Sequence, residues 1–286
     1  MNKKNRLNDF RTTRSKLPPE SFALGPKEPD PTPRDLIKKE TWKSIISLPD
    51  DVSLRTSENH GVELRVMDEL WASWIESVGE DQDAISYTML DASDEFQACL
   101  FNSLCGFYRV AASCLRSALE LNTIGAYFQL VSNPSKFLEW KEGKLPMYFG
   151  KVCDLLLRHF KTNPIHNSLE SQTAFSIFEQ KSPGDSGGWA RRLYSELSAF
   201  AHSRPQHSSV VMWDGSNGPI YVPSSFETIY AHYLDTMSLG YVLVKLARPT
   251  FKLPKAVKHI FQSSKILRGK VAIYSFQIPL EKFLRV

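Results

Sequence analysis

The sequence predicts a mainly α protein, a helical bundle with one β-hairpin inserted late in the chain. Three observations carry this. Apolar residues recur at helical spacing through most of the chain. Residues that stop helices, Asn133-Pro134 and Arg248-Pro249 among them, fall between the periodic stretches. Short β-rich runs gather around one glycine-and-asparagine turn, Asp214-Gly215-Ser216-Asn217-Gly218.

The elements follow in order. Residues 1–34 combine early lysines and arginines with six prolines, Pro18 to Pro33, and read as a disordered basic tail. Asp35–Leu48 reads as a short helix between Pro33 and Pro49. His60–Val78 is a stronger one, with Val62, Val66, Leu70 and Trp74 at helical spacing. Asp83–Leu90 is ambiguous. A helix runs from about Asp91 to Cys105, and Gly106 breaks it. The next helix ends near Val131. Pro134–Glu142, Leu145–Phe160 and Asn167–Gln180 are three shorter helices, and Pro183–Gly188 connects to another that ends at His202. Gly184–Gly188 matches the nucleophile motif of trypsin-like serine proteases, but its helical flanks deny it that fold. Ser208–Trp213 and Pro219–Val222 form the arms of the hairpin. Ser224–Leu246 is a long helix capped by Ser224 or Ser225. Pro254–Phe261 reads as a basic helix and Val271–Gln277 as an edge strand.

Composition narrows the classes. A chain of 286 residues holds one large domain or two small ones. The net charge of +4 permits contact with nucleic acid without a clustered stripe to argue for it. No apolar run is as long as a membrane span, and no apolar core follows the basic N-terminus as in a secretory signal. A cytoplasmic protein with no membrane partner is expected. Cys99, Cys105, Cys114 and Cys153 lack metal-ligand spacing and read as buried free thiols in a reducing compartment. No metal and no other cofactor is expected.

The stretch Leu104–Glu120 organises the rest. Arg109, Ser113, Arg116 and Glu120 sit at i, i+4, i+7 and i+11, one face of a helix that is otherwise apolar. Charges on a buried helix need partners, because unpaired burial costs several kcal/mol. Arg191, Ser195, Ser198 and His202 repeat that spacing downstream. The two polar stripes are expected to meet, so that Arg116, Glu120 and His202 line one cleft.

The segment GFYRVAASCLRSALE resembles the LRS-x-LE helix of a group of bacterial helical proteins of unknown function. LYSELSAFAHSRP resembles the Y-x-x-LS-x-x-x-H helix end of the same group. MWDGSNGPIYVP, followed by a helix ending KLARP, is similar to those proteins as well. More broadly the stretch from about Asp91 to Pro249 resembles HEPN-like domains, helical bundles of toxin and anti-phage defence proteins. The resemblance divides the chain into the tail (1–34), N-terminal helices (35–90), a HEPN-like domain (91–249) and a C-terminal extension (250–286). It implies a cytoplasmic effector of bacterial defence or toxin–antitoxin type that acts on RNA. It also implies a metal-independent ribonuclease working as a homodimer, with an antitoxin or defence-system partner.

Active HEPN ribonucleases carry Arg, four to six residues, then His, and this sequence departs from that pattern. Arg192 lies too far ahead of His202, Arg204 follows it, and Pro164 interrupts Arg158 and His166. The candidate catalytic set is therefore Arg116, Glu120, His202 and Arg204. A neutral histidine takes the ribose hydroxyl proton. An arginine stabilises the phosphorane charge, and Glu120 orients Arg116 or His202. Arg109, Arg191 and Trp213 are candidates for RNA contact. Trp213 and Tyr221 flank the hairpin tip, where rings stack on a base or anchor the hairpin to the bundle. The rival reading is a non-catalytic interaction or regulatory module in which Arg116, Glu120 and His202 form a structural polar lock.

Overall fold

The computed structural model describes residues 39–79, 83–131, 133–162, 169–179, 187–201 and 219–263. The chain divides into two units, 1–47 and 48–286. In the first, Lys39–Trp42 is α-helical and Lys43–Ser47 is π-helical. Among the described residues the second unit holds nine helices and no strand.

Helix α1 spans Leu48–Val78, so Pro49 opens a helix where the sequence suggested it closed one. The helical run does not end there: π-helical Lys43–Ser47 passes directly into it, and Pro49, which has no N–H to donate, sits at the change from π to α. His60 leaves helical geometry (φ −131°, ψ 28°) and kinks α1. Beyond the kink the buried face is centred on Met67, Leu70 and Trp74, and Val62, 75% exposed, falls outside it.

Helix α2 is Ala84–Leu104, one helix through the ambiguous stretch. Asp83 is its N-cap, and its carboxylate accepts from the Ser86 N–H at 3.1 Å. Arg248 clasps the same carboxylate from the far end of the chain, its Nε donating at 2.9 Å. Gly106 (φ +81°) turns the chain, and a Cβ there would collide with the Ile220 carbonyl and Val52. Helix α3, Tyr108–Leu130, then returns along α2 as an antiparallel partner.

Four shorter helices follow: α4 (Pro134–Lys141), α5 (Phe149–Thr162), α6 (Leu169–Phe178) and α7 (Trp189–Ala201). Helix α8, Pro223–Ala247, is buried at every residue from His232 to Ala247. Its N-cap is Val222 rather than Ser224 or Ser225, with Pro223 in the first turn. Lys245 is buried, and its ammonium closes the other end by donating to the carbonyls of Pro249 (2.7 Å) and Phe251 (2.8 Å). Helix α9 is Lys255–Ser263. Helix α3 touches α2, α4, α5, α7 and α8, so the stretch expected to be central is central.

Of the expected hairpin, Ser208–Trp213 and the tip lie outside the described residues. Pro219–Val222 lies inside and is not a strand. Its polar groups bond to the bundle instead. The Val222 N–H donates to the Tyr108 hydroxyl at 3.1 Å, and the Tyr221 hydroxyl lies 3.2 Å from His60 Nε2. Tyr221 is thus anchored, and the His60 ring stacks on Phe226 at 4.5 Å. The tail 1–34 and Val271–Gln277 also fall outside the described residues.

Candidate functional site

The polar face of α3 meets α7. Arg116 Nη2 donates to Glu120 Oε1 at 3.2 Å and to the Tyr194 hydroxyl at 2.6 Å. That hydroxyl donates in turn to Glu120 Oε1 at 2.7 Å, closing a three-membered ring of hydrogen bonds. The Tyr194 ring lies flat on Phe149 of α5, with centroids 4.0 Å apart and planes at 7°. Arg116 also sits 4.9 Å from the Tyr194 centroid, a cation–π distance. The guanidinium is partly open to solvent, its side chain 27% exposed, yet its Nε is buried without a hydrogen-bond partner.

The electrostatics follow from these contacts. Burial works against the Arg116 charge, but the Tyr194 hydrogen bond and the Glu120 charge outweigh it and hold the guanidinium above its ordinary value. Burial, and then the hydrogen bond to Glu120, raise the Tyr194 phenol. The phenol therefore stays a donor at neutral pH.

At the other end of the seam Arg109 Nε donates to the Phe200 carbonyl at 3.1 Å. Ser113 Oγ donates to the Arg109 carbonyl at 3.0 Å. The pairs Arg109–Phe200 and Arg116–Tyr194 run in opposite directions along the two helices, so the helices are antiparallel. The end of α7 nearest His202 in the chain is therefore the Arg109 end.

Arg191 turns away from this seam. Its Nε donates to the Phe178 carbonyl at 2.9 Å, and its Nη2 pairs with Asp154 at 2.5 Å. It thereby ties the end of α6 and the middle of α5 to α7. Gly187 and Gly188 make the approach possible. A Cβ on Gly188 would overlap the Ile177 carbonyl, and one on Gly187 would crowd the Arg191 stem.

The chain matches no family model, no curated protein and no solved structure.

The residues themselves must therefore carry the argument. Of the expected set, Arg116 and Glu120 are joined, and Arg109 lies on the same seam one to two turns away. Arg191 is committed to α5 and α6. His202, Arg204 and Trp213 lie outside the described residues. The partner that sequence reasoning missed is Tyr194. It sits one residue before Ser195, which is exposed, so the face of α7 toward α3 is rotated from the Arg191–Ser195–Ser198 stripe. An aromatic residue three positions before Leu197 reads as core, and only its hydroxyl betrays a polar role.

Among the described residues no group of three or more His, Cys, Asp or Glu side chains could hold a metal ion. The four cysteines are free thiols. Cys99, Cys105 and Cys153 are buried, and Cys114 is half-buried, sharing a hydrogen bond with Glu95 of α2. Burial pushes the Cys153 and Cys114 thiols up to about 12, with the Glu95 charge adding at Cys114. Burial holds all four thiols toward the protonated form. Among the described residues no helix is long and apolar enough to cross a membrane.

Proposed function

We propose that this chain is a HEPN-like effector of bacterial defence or toxin–antitoxin type that acts on RNA along the seam of α3 and α7. One observation carries the reading. Glu120 and Tyr194 hold Arg116 in a fixed orientation while leaving part of it open to solvent. A guanidinium so held is preorganised for a phosphate oxygen, and fixed orientation is what lowers a barrier. In the proposed reaction His202 takes the proton of a ribose 2′-hydroxyl. The freed oxygen attacks phosphorus, and the P–O5′ bond breaks as the departing 5′-oxygen takes a proton from water, leaving a 2′,3′-cyclic phosphate and a 5′-hydroxyl. Arg116 and Arg204 offset the charge on the phosphorane, Glu120 positions Arg116, and Arg109 holds the end of α7 that precedes His202. No metal is required by this chemistry. A homodimer and an antitoxin or defence-system partner belong to the same proposal.

A second reading rests on a different observation. Arg116 Nη2, Glu120 Oε1 and the Tyr194 hydroxyl each bond to the other two, so the same ring also serves a non-catalytic module as a structural polar lock. Expression of wild type, His202→Ala and Glu120→Gln in a bacterial host separates the two. Toxicity that disappears in His202→Ala, with an unchanged melting temperature, supports the effector. Equal behaviour of wild type and His202→Ala supports the lock.

A further inference from the structure

We infer that α9 and the turn before it form a docking surface for the phosphodiester backbone of a nucleic acid. Lys252 and Lys255 are exposed and Lys258 is half-buried; the latter two share one face of α9 with His259. Among the described residues no carboxylate pairs with any of the three lysines, although eight other lysines, arginines or histidines have such a partner within 4 Å, as Arg65 and Lys161 do. The sequence explains why. No Asp or Glu occurs from Thr236 to Leu280, while Lys265, Arg268 and Lys270 continue the cationic run. Surface cations without counter-charges create a positive field that an anionic polymer neutralises, with release of its own counterions.

The other side of α9 decides what kind of polyanion fits. Leu253 and Val257 are buried, at 6% and 0% exposure, and α9 packs on α1. A helix that lies on an anionic bilayer needs a free apolar face to sink into it. Among the described residues that face is Val257, with Leu253 just before the helix, and both are already buried in the core. What the described part of α9 presents to solvent is its lysine side, suited to phosphates in an aqueous groove rather than to lipid. Lysine is a point charge on a flexible stem, so the contact positions the polymer without reading its sequence. This surface is separate from the α3–α7 seam and would hold the polymer whether or not the seam cleaves it.

The test is binding of the full chain to a labelled oligouridine of about 20 nucleotides, titrated across roughly 50–200 mM salt. Lys252→Gln, Lys255→Gln and Lys258→Gln are combined in one variant. A control carries Lys136→Gln, Lys144→Gln and Lys151→Gln, three exposed lysines elsewhere, for the same change in net charge. The α9 variant is expected to bind about tenfold or more weakly, with the slope of log K against log salt reduced by about 2. The control is expected to stay within about twofold of wild type. Absence of oligouridine binding by the wild-type chain overturns the inference. So does an equal loss in both variants, which would report net charge only. Tighter binding to vesicles rich in phosphatidylserine, lost in the α9 variant while oligouridine binding persists, also overturns it. Unchanged toxicity in His202→Ala, with oligouridine binding intact, would sink the seam reading and leave this one standing.

Discussion

The two faces of α3 are built on opposite principles. Toward α2 the contact is close. Gly125 has no side chain, and Thr88 fills the space one would occupy, its hydroxyl bonded to the Ala84 and Ile85 carbonyls. Toward α7 the spacing is set by donors and acceptors: Arg109 on a carbonyl, Arg116 and Glu120 on Tyr194. The difference teaches where each face is vulnerable. The first responds to added volume and the second to lost hydrogen bonds.

The largest effect is expected at the close face. Gly125→Ala gains about 1 kcal/mol of helix propensity, yet its Cβ would overlap Thr88 and sit 3.1 Å from Ile85 Cδ1. Overpacking costs about 1–3 kcal/mol, and direct overlap with the buried Thr88 puts this case at the upper end, so a net loss near 2 kcal/mol is expected in denaturant unfolding. Gly61→Ala meets nothing within 4 Å and should show only the propensity gain. Equal stabilisation by both changes would mean that the α2 face has room to spare.

A smaller loss is expected at the polar face. Tyr194→Phe keeps the ring on Phe149 and removes the hydroxyl that joins Arg116 to Glu120, for about 1 kcal/mol. A double-mutant cycle with Glu120→Gln should then show coupling between the two positions. Additive effects would dissolve the ring into independent contacts.

The smallest effect concerns pH and returns to the α2 face. Burial raises the Glu95 carboxyl, with the Cys114 hydrogen bond pulling it down and the Asp94 charge adding to the rise. The folded chain thus holds that proton more tightly than the unfolded one. The stabilisation is complete below the ordinary value of 4.5 and is lost as pH rises through the raised one. Glu95→Gln should therefore gain on wild type between about pH 4 and pH 7. A constant difference across that range would show that Glu95 is as well solvated folded as unfolded.

Much of the bundle was legible because helical periodicity is a local signal. The course of α3, the stop at Asn133-Pro134 and the break at Gly106 follow from neighbouring residues alone. Pro49 misled because a π-helical turn just before it lets the helical run pass through, and proline alone reads as a stop. The joining of α2 through Asp83–Leu90 depends on a cap that Arg248 reinforces from 165 residues away, which no window of sequence contains. The seam was legible from α3, whose charges needed partners. It was obscured on α7, where a tyrosine supplied the polar group and a nearby arginine served another helix.

Tyr108 and Arg109 are neighbours in the chain, and each holds one side of the same excursion: Arg109 the Phe200 carbonyl, Tyr108 the Val222 amide. The polypeptide departs from one turn of α3 and comes home to it. The length of what lies between is thereby uncoupled from the scaffold, since each doubling of a closed span adds only about 0.6 kcal/mol of entropy cost.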